Sequence, residues 1–326
     1  MTTVTHTAAP STGGRAARWA GRNAAVVLVF AVTAILVVGA SFMSETFRDP
    51  DNFVDILRQS IPLALATIGQ LFVMLAGGTD MSVGMIARVV GLGAAVAMTT
   101  AGLPPYLVMP LGLAVGALLG LINGAIVARF SAQPFILTLG TMGILYGVAL
   151  AISDGPTKLV PMSVLQIYEM SIWSIPLCVL AMGVVWLIAW WALARSHFGR
   201  ATYAVGGSPV VARLAGLNSN RVIILCYVLS GLTSAAAGLF LLARSGVGNP
   251  TMAIGLEFQS IVAAAIGGIS LYGGRGSILG AFGAVLLVTV ISNLFDLFQF
   301  SAYWQNLALG VIVVLAVAIH KSEKPR

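Results

Sequence analysis

Long apolar runs dominate the chain, and short polar stretches separate them. The runs predict membrane spans over 24–43, 54–76, 82–101, 106–128, 134–152, 172–193, 222–243, 255–271, 277–296 and 302–319. Most are close to the ~20 residues that a helix needs to cross a bilayer. We therefore predict an all-α integral membrane protein of about ten transmembrane helices, with residues 24–319 as one domain.

Composition and charge agree with this class. The 326 residues are 59% hydrophobic and 8% charged, whereas soluble domains carry about 25% charged residues. The net charge of +7 lies in the loops, so we expect a membrane rather than nucleic acid as the surroundings. Residues 1–23 are predicted to be a disordered tail, and 320–326 a short tail.

The basic residues also predict an orientation. On the side of the N-terminus lie Arg15, Arg18, Arg22, Arg129, Arg195, Arg200, Arg213, Arg221, Arg275, Lys321, Lys324 and Arg326. The other side has only Arg48, Arg58, Lys158 and Arg244. Because cytoplasmic loops collect Lys and Arg, both termini are predicted to be cytoplasmic.

Two glycine-rich stretches, 77–84 and 267–277, interrupt the apolar pattern. Irregular backbone at membrane depth survives only where protein or water satisfies its polar groups, and interrupted helices often border a substrate path. Asp80 and Ser82 in the first stretch have two interpretations. They can cap the following helix, or they can belong to a pathway or gate.

Arg88 is a charged residue inside a predicted span. A charge at a helix centre costs about 2.5–3.5 kcal/mol on insertion scales. The side chain must therefore snorkel to the surface, pair with an acid such as Asp80 or Glu257, or face a wet cavity.

Glycine recurs every four residues along one predicted helix, at Gly112, Gly116, Gly120 and Gly124. Small residues on one face let two helix backbones approach closely in a membrane. The stripe predicts a helix-packing surface within this chain.

Residues 195–221 form the only long segment on the N-terminal side, and they contain one predicted short helix. Ser208 suits the N-cap position of this helix, and Pro209 suits its first helical position. Gly216, which follows Ala215, suits the position that ends a helix. So short a helix is unstable alone. It docks either on its own bundle or on a partner protein.

No catalytic constellation is visible. The histidines are scattered, and Cys178 and Cys226 each lie in an apolar span, so neither a disulfide framework nor a metal motif is expected. We predict a protein that is not an enzyme and that binds no cofactor or metal of its own.

Four ordered motifs resemble one family, the permease subunits of bacterial ABC importers for ribose, xylose, galactose and arabinose. Its GIDLSVG is matched by GTDMSVG at 78–84, and its NG…PPFIVTLGTM by NG at 123–124 with PFILTLGTM at 134–142. Its FGR…YAIGGN…AARLAGI and IGGTSLFGGRG are matched at 198–216 and 266–276.

The resemblance implies a ten-span fold of the vitamin B12-importer (type II) kind in a bacterial inner membrane. Two permease copies would form the pathway. A cytoplasmic sugar-type ABC ATPase, which binds the ATP and Mg²⁺, would dock on the 209–215 helix. A periplasmic or lipid-anchored binding protein would deliver the sugar.

We predict two sets of functional residues on this basis. The pathway or gate would include Asp80, Ser82, Arg88, Asn123, Thr138 and Thr141. The ATPase would contact Ser208, Pro209, Val211, Ala212, Arg213 and Gly216. Arg88 departs from the family's apolar preference, and a sugar acid or a phosphorylated sugar could use such a cation.

Two other functions remain open. A nucleoside or branched-chain amino acid importer would share the fold, although the Asp-Met-Ser-Val-Gly sequence at 80–84 argues against it. An ion-driven secondary transporter would need more ionisable residues inside the bundle than Asp80, Arg88 and Glu257.

Overall fold

The computed structural model describes residues 24–301 except position 174, together with positions 303, 304, 307, 310 and 311. This part of the chain is almost entirely helical. Its helices are α1 (Ala24–Met43), α2 (Glu45–Arg48), α3 (Pro50–Leu75), α4 (Val83–Thr99), α5 (Pro105–Phe130), α6 (Pro134–Ile152), α7 (Met162–Glu169), α8 (Leu177–Arg195), α9 (His197–Gly207), α10 (Pro209–Leu214), α11 (Ser219–Ser245), α12 (Leu256–Ile266) and α13 (Ile278–Leu297). A small antiparallel hairpin of β1 (Ser171–Ile172) and β2 (Ile175–Pro176) precedes α8.

A helix occupies each of the nine predicted spans between residues 24 and 297. Among the described helices, seven are long and apolar enough to cross a membrane, whereas α4 and α12 are apolar but shorter. The predicted span 255–271 is too long, because α12 ends at Ile266, before Gly267 and Gly268. Three predicted segments lie wholly or mostly outside the described residues: the tails 1–23 and 320–326, and the span 302–319.

Helices α3 and α11 form the centre of the bundle. Every residue of α3 from Ser60 to Leu75 is buried, which is the pattern of a helix surrounded on all sides. Helix α11 packs along α3, α4 and α5, and α13 packs against α1, α3 and α12. The outer helices α1, α6 and α8 bury few of their residues in the protein, as a lipid-facing surface requires.

The predicted packing stripe on α5 is confirmed. A Cβ at Gly116 would lie 2.5 Å from the carbonyl oxygen of Gly231 on α11, and one at Gly120 would overlap the carbonyl oxygen of Tyr227. Gly231 meets Gly116 in the same way from the other side. The absence of side chains therefore sets how closely α5 and α11 approach.

Candidate functional site

The first break in the bundle, residues 76–82, carries Asp80 between α3 and α4. Gly77 takes a φ of +89°, a left-handed conformation that an L side chain would strain. The N–H groups of Gly77 and Gly78 donate to carbonyl oxygens in the last turn of α3, which closes that helix. The chain then turns Asp80 into the interior, where its exposed fraction is 0%.

Both oxygens of the Asp80 carboxylate accept hydrogen bonds. Oδ1 accepts from the Ser82 N–H at 2.9 Å and from the Ser82 hydroxyl at 2.6 Å. Oδ2 accepts from the hydroxyl of Ser230 on α11 at 2.7 Å. Because these donors replace water around a buried carboxylate, they stabilise it and join the break to α11.

Helices α5 and α6 extend this network. Asn123 Nδ2 donates to Ser82 Oγ at 3.0 Å, and Thr141 Oγ1 donates to Asn123 Oδ1 at 2.7 Å. Thr138 Oγ1 accepts from the Met81 N–H at 2.9 Å. The structure thus joins five of the six predicted pathway residues into one set of contacts, which we call the Asp80 network: Asp80, Ser82, Asn123, Thr138 and Thr141.

Three further members of the Asp80 network were not predicted. With its amide assigned from its partners, Gln70 donates to Asp80 O at 3.0 Å and accepts from Asp80 N at 3.3 Å. Tyr227 donates to Thr79 O at 3.4 Å, and Ser230 donates to the carboxylate. Gln70 could have been found as a polar residue inside an apolar run. Tyr227 and Ser230 carry no comparable signal.

The helix-cap interpretation of Asp80 and Ser82 is only partly right. Ser82 is the N-cap residue of α4, but its side chain makes no capping bond, since its hydroxyl donates to Asp80. Asp80 accepts the N–H of Ser82 itself and none from the first turn of α4 within the described residues. A role of these residues in a pathway or gate stays a prediction.

Arg88 lies outside the Asp80 network. Its side chain is 3% exposed, its Nε donates to Met252 O at 3.0 Å, and its guanidinium carbon lies 5.9 Å from the centre of the Tyr146 ring. Neither predicted ion pair, with Asp80 or with Glu257, forms within 4.0 Å in the described part of the chain. Snorkelling is also wrong, because the side chain is buried.

Glu257 on α12 is a second buried carboxylate, 3% exposed, on the same side of α4 as Arg88. Its Oε2 has no hydrogen-bond partner in the described part of the protein. Gly84 of α4 provides the room for it, since a Cβ there would overlap Oε2. Arg88 lies one turn further along α4 and forms no ion pair with Glu257 within 4.0 Å in the described residues.

The second break, residues 267–277, contacts the first. The N–H of Gly274 donates to Leu75 O, at the end of α3, at 2.9 Å. A Cβ on Gly273 would lie 2.7 Å from the Cα of Gly77. The two interrupted helices therefore meet backbone to backbone.

The end of α9 completes this contact. A Cβ on Gly206 would overlap Leu75 O, and one on Gly274 would lie 2.7 Å from the Cα of Gly207. Three chain segments thus approach where each lacks a side chain. We call this contact the glycine junction: Gly77, Gly206, Gly207, Gly273 and Gly274.

The segment 195–221, predicted as a basic loop with one short helix, contains two helices. Helix α9 begins at His197, where the Ser196 hydroxyl accepts from the Gly199 N–H at 3.0 Å. Helix α10 begins at Pro209, where Ser208 Oγ accepts from the third residue of the helix at 3.3 Å. Its end is also as predicted, with Gly216 in the left-handed conformation at φ +82°.

Helix α9 is tied to the second break by a tyrosine. The hydroxyl of Tyr203 donates to Gly276 O at 3.1 Å. Burial raises the pKa of Tyr203, so the hydroxyl stays protonated and can donate at neutral pH. This bond supports the glycine junction from its outer edge.

Helix α10 turns one face to the protein and the other outward. Ala212 is buried, whereas Val210, Val211 and Leu214 are 60, 63 and 84% exposed. Arg213 Nε bonds back to Pro209 O of its own helix at 3.2 Å. The interpretation that α10 packs on its own bundle therefore holds only for its inner face. The side chains of Val210, Val211 and Leu214 extend away from the described part of the protein.

Comparisons with known proteins agree on one family. The family model described as "Branched-chain amino acid transport system / permease component" matches residues 52–317. The chain is 34% identical to the ribose import permease protein RbsC of Haemophilus influenzae over 88% of this chain and 90% of the relative. It is 36% identical to the fructose import permease protein FrcC of Rhizobium meliloti, over 91% and 84%.

A third relative, the D-allose transport system permease protein AlsC of Escherichia coli, is 33% identical over 90% of each chain. No solved structure matches the chain at a significant level. Nine-tenths of the sequence, including the Asp80 network and α10, thus aligns with permease subunits. These three relatives are named as permease proteins for sugars. The chain belongs to the branched-chain amino acid transport system permease family, and it is a multi-pass membrane protein.

Proposed function

We propose that the chain is the transmembrane subunit of an ABC importer for a neutral monosaccharide. The observation that carries this proposal is its identity of 33–36% to import permeases for ribose, D-allose and fructose along about nine-tenths of its length. The family description also names branched-chain amino acids, which are the alternative substrate class. Helix α10 and the glycine junction support the proposal, as a proposed docking surface for an ATPase and a proposed route for coupling.

Helix α10 is the proposed docking surface for a cytoplasmic sugar-type ATPase, which binds the ATP and Mg²⁺. Exposing three apolar side chains of a six-residue helix to water is unfavourable, and a partner surface would cover them. The Ser208 cap and the Gly216 stop fix the helix in the orientation that exposes Val211, Arg213 and Leu214.

A route for coupling runs from this surface to the bundle. Ser208 joins α10 directly to α9, and α9 ends at Gly206 and Gly207 of the glycine junction. Both breaks meet there, and the first break carries Asp80. In this proposal, closure of the ATPase shifts α9 and thereby both interrupted helices.

Ten spans in the type II arrangement, with both termini in the cytoplasm of a bacterial inner membrane, complete the proposal. Nine apolar helices between residues 24 and 297 and the further apolar run at 302–319 support the number. The excess of Lys and Arg on one side supports the orientation. We further propose residues 1–23 and 320–326 as cytoplasmic tails, a second copy of this chain, and a periplasmic or lipid-anchored binding protein.

The position of Arg88 supports a neutral substrate over a sugar acid or a phosphorylated sugar. The guanidinium is buried, and it bonds to the Met252 backbone beside the Tyr146 ring. A substrate anion would have to displace these contacts to reach it. Arg88 therefore serves the packing of α4 in this proposal.

The docking role is tested in the complete transporter, reconstituted with its ATPase and binding protein. Leu214→Asp and Arg213→Glu should lower substrate-stimulated ATP hydrolysis and uptake at least about tenfold, since each places a negative charge in the contact. Arg129→Glu, in the last turn of α5, makes the same charge change as Arg213→Glu at an exposed position outside the segment 195–221 and should keep both rates. Wild-type rates in the α10 variants would remove the docking role.

The energy source has its own test. Uptake should stop when the partner ATPase is omitted and should continue when an uncoupler dissipates the ion gradient at constant ATP. Uptake that needs the gradient and not the ATPase would instead establish an ion-driven secondary transporter.

A further inference from the structure

A polar cavity of about 200 Å³ lies between α3, α11, α12 and α13 and shares no residue with the Asp80 network. Its floor is buried and mostly apolar, formed by Leu63, Val288 and Thr289. Its walls are three half-buried polar side chains: Gln59, Gln259 and Ser292. Burial thus decreases from the floor outward, as in a cavity open at one end.

The wall groups are free to bind a ligand. Within the described residues, the side chains of Gln59, Gln259 and Ser292 make no hydrogen bond to the protein. Amides and hydroxyls in membrane-spanning helices are costly unless a partner or a wet cavity satisfies them. Three such groups from three different helices, α3, α12 and α13, converge on one space.

The mouth of the cavity lies at one end of the bundle. Arg244 and Asp296 line it, and both are exposed. They occupy the last turns of α11 and α13, at the side of the protein that carries few basic residues. In the proposed orientation that side is outside, so the cavity opens toward the binding protein.

We propose that this cavity is a monosaccharide-binding site within a single permease subunit. The amides of Gln59 and Gln259 and the hydroxyl of Ser292 can exchange hydrogen bonds with sugar hydroxyls. The hydroxyl of Thr289 donates to Val285 O and can still accept a bond, while Leu63 and Val288 can contact the C–H face of the ring. The volume is below the ~300–1,000 Å³ of pockets for drug-sized ligands and suits a smaller molecule.

The lining favours a sugar over a branched-chain amino acid. An aliphatic side chain in the cavity would leave the amides of Gln59 and Gln259 without partners, which is costly in a desolvated site. Both charged groups lie at the exposed mouth, where water screens them. The identification of the ligand as a sugar rests on the proposed function; the cavity and its free polar groups do not.

Thiol protection tests the site directly. In a transporter whose native cysteines are replaced (Cys178→Ser, Cys226→Ser), Ser292→Cys should react with a membrane-impermeant thiol reagent added from outside. Ribose, D-allose or fructose should slow that reaction. Ser41→Cys, a half-buried serine of α1 outside the cavity, should show no protection. Lack of reaction at position 292, lack of protection by any sugar, or protection by leucine alone would overturn the proposal.

Uptake supplies a second test. Gln59→Leu and Gln259→Leu should each lower sugar uptake at subsaturating concentration about fivefold, the effect of one lost hydrogen bond. ATP hydrolysis stimulated by the binding protein should persist, because α10 is unchanged. Gln166→Leu on α7, outside the cavity, should behave as wild type. Unchanged uptake in both variants would overturn the proposal.

The two proposals fail in different ways. If the unmodified transporter takes up no sugar, the proposed function fails whatever the variants do. If it takes up sugar and the cavity variants are normal, only the cavity assignment fails.

Discussion

Asp80 and Glu257 are both buried beside α4, yet their surroundings differ. Asp80 accepts three hydrogen bonds from Ser82 and Ser230. Glu257 has an oxygen without a partner, and Arg88, one turn further along α4 than Gly84, makes no direct bond to it in the described residues. Bonds from two helices hold the first carboxylate in one geometry. Shape holds the second, which can still accept another bond.

The largest expected effect is at Asp80. Asp80→Ala should destabilise the protein by about 3 kcal/mol or more, because it leaves three buried donors without an acceptor. Asp80→Asn should recover most of that stability, since its oxygen can accept from Ser82 and its NH₂ can donate to Ser230. The loss of monodisperse protein on heating in detergent measures both. Equal losses would mean that the charge, and not the bonds, holds the break in place.

Removing the charge of Arg88 or of Glu257 should cost less stability. Arg88→Met and Glu257→Gln should each cost about 2 kcal/mol, below the ~3–5 kcal/mol for a contacting buried pair, because these charges do not touch. The double variant should be more stable than the sum of the single losses by about 1 kcal/mol. The same heating assay checks this cycle, and strict additivity would show that the two charges are independent.

Filling the space beside Glu257 should have a smaller effect. Gly84→Ala places a methyl group against Oε2 and should cost about 1–2 kcal/mol through overpacking. Gly93→Ala on the same helix is the matched control, since its nearest neighbour, Ile152 Cδ1, is 3.9 Å away. The control should be neutral or gain about 0.5 kcal/mol of helix stability in thermal unfolding. Equal stability of the two variants would show that Glu257 moves freely.

The smallest effect is expected at the rim of the Asp80 network. Thr141→Val removes the bond to Asn123 and should cost about 0.6 kcal/mol, the average for side-chain hydrogen bonds between membrane helices. Thr99→Val, which removes only a bond within α4, is the control. If Thr141→Val cost nearly as much stability as Asp80→Ala, the Asp80 network would act as one unit. Its contribution to stability would then not decrease toward its rim.

The helices could largely be predicted from the sequence, because about twenty apolar residues in a row have few other solutions. A predicted helix end was wrong where glycine interrupts the apolar run, as after Ile266. Helix α9 was missed because its eleven residues include Gly199, Gly206 and Gly207, which disfavour a helix locally. Contacts with α8, α10 and α11 stabilise it, and a local pattern does not reveal these.

The site was predictable only where a motif marks it. Asp80, Ser82, Asn123, Thr138 and Thr141 lie in recognisable stretches, and the structure joins them. Ser230 lies 150 residues from Asp80 in an ordinary helix sequence, so nothing local indicates their contact. The cavity between α3, α11, α12 and α13 is likewise a product of packing between distant residues.

The glycine junction has a consequence for engineering. Where side chains fill an interface, rotamers can adjust to a foreign neighbour. At the junction of Gly77, Gly206 and Gly273, the backbones touch, and no such adjustment is possible. A chimera that imports α9 and α10 from another permease to change its ATPase would therefore have to keep the glycine at 206, whereas a Cβ at 207 would meet open space. The unit that can be exchanged between transporters begins after Gly206.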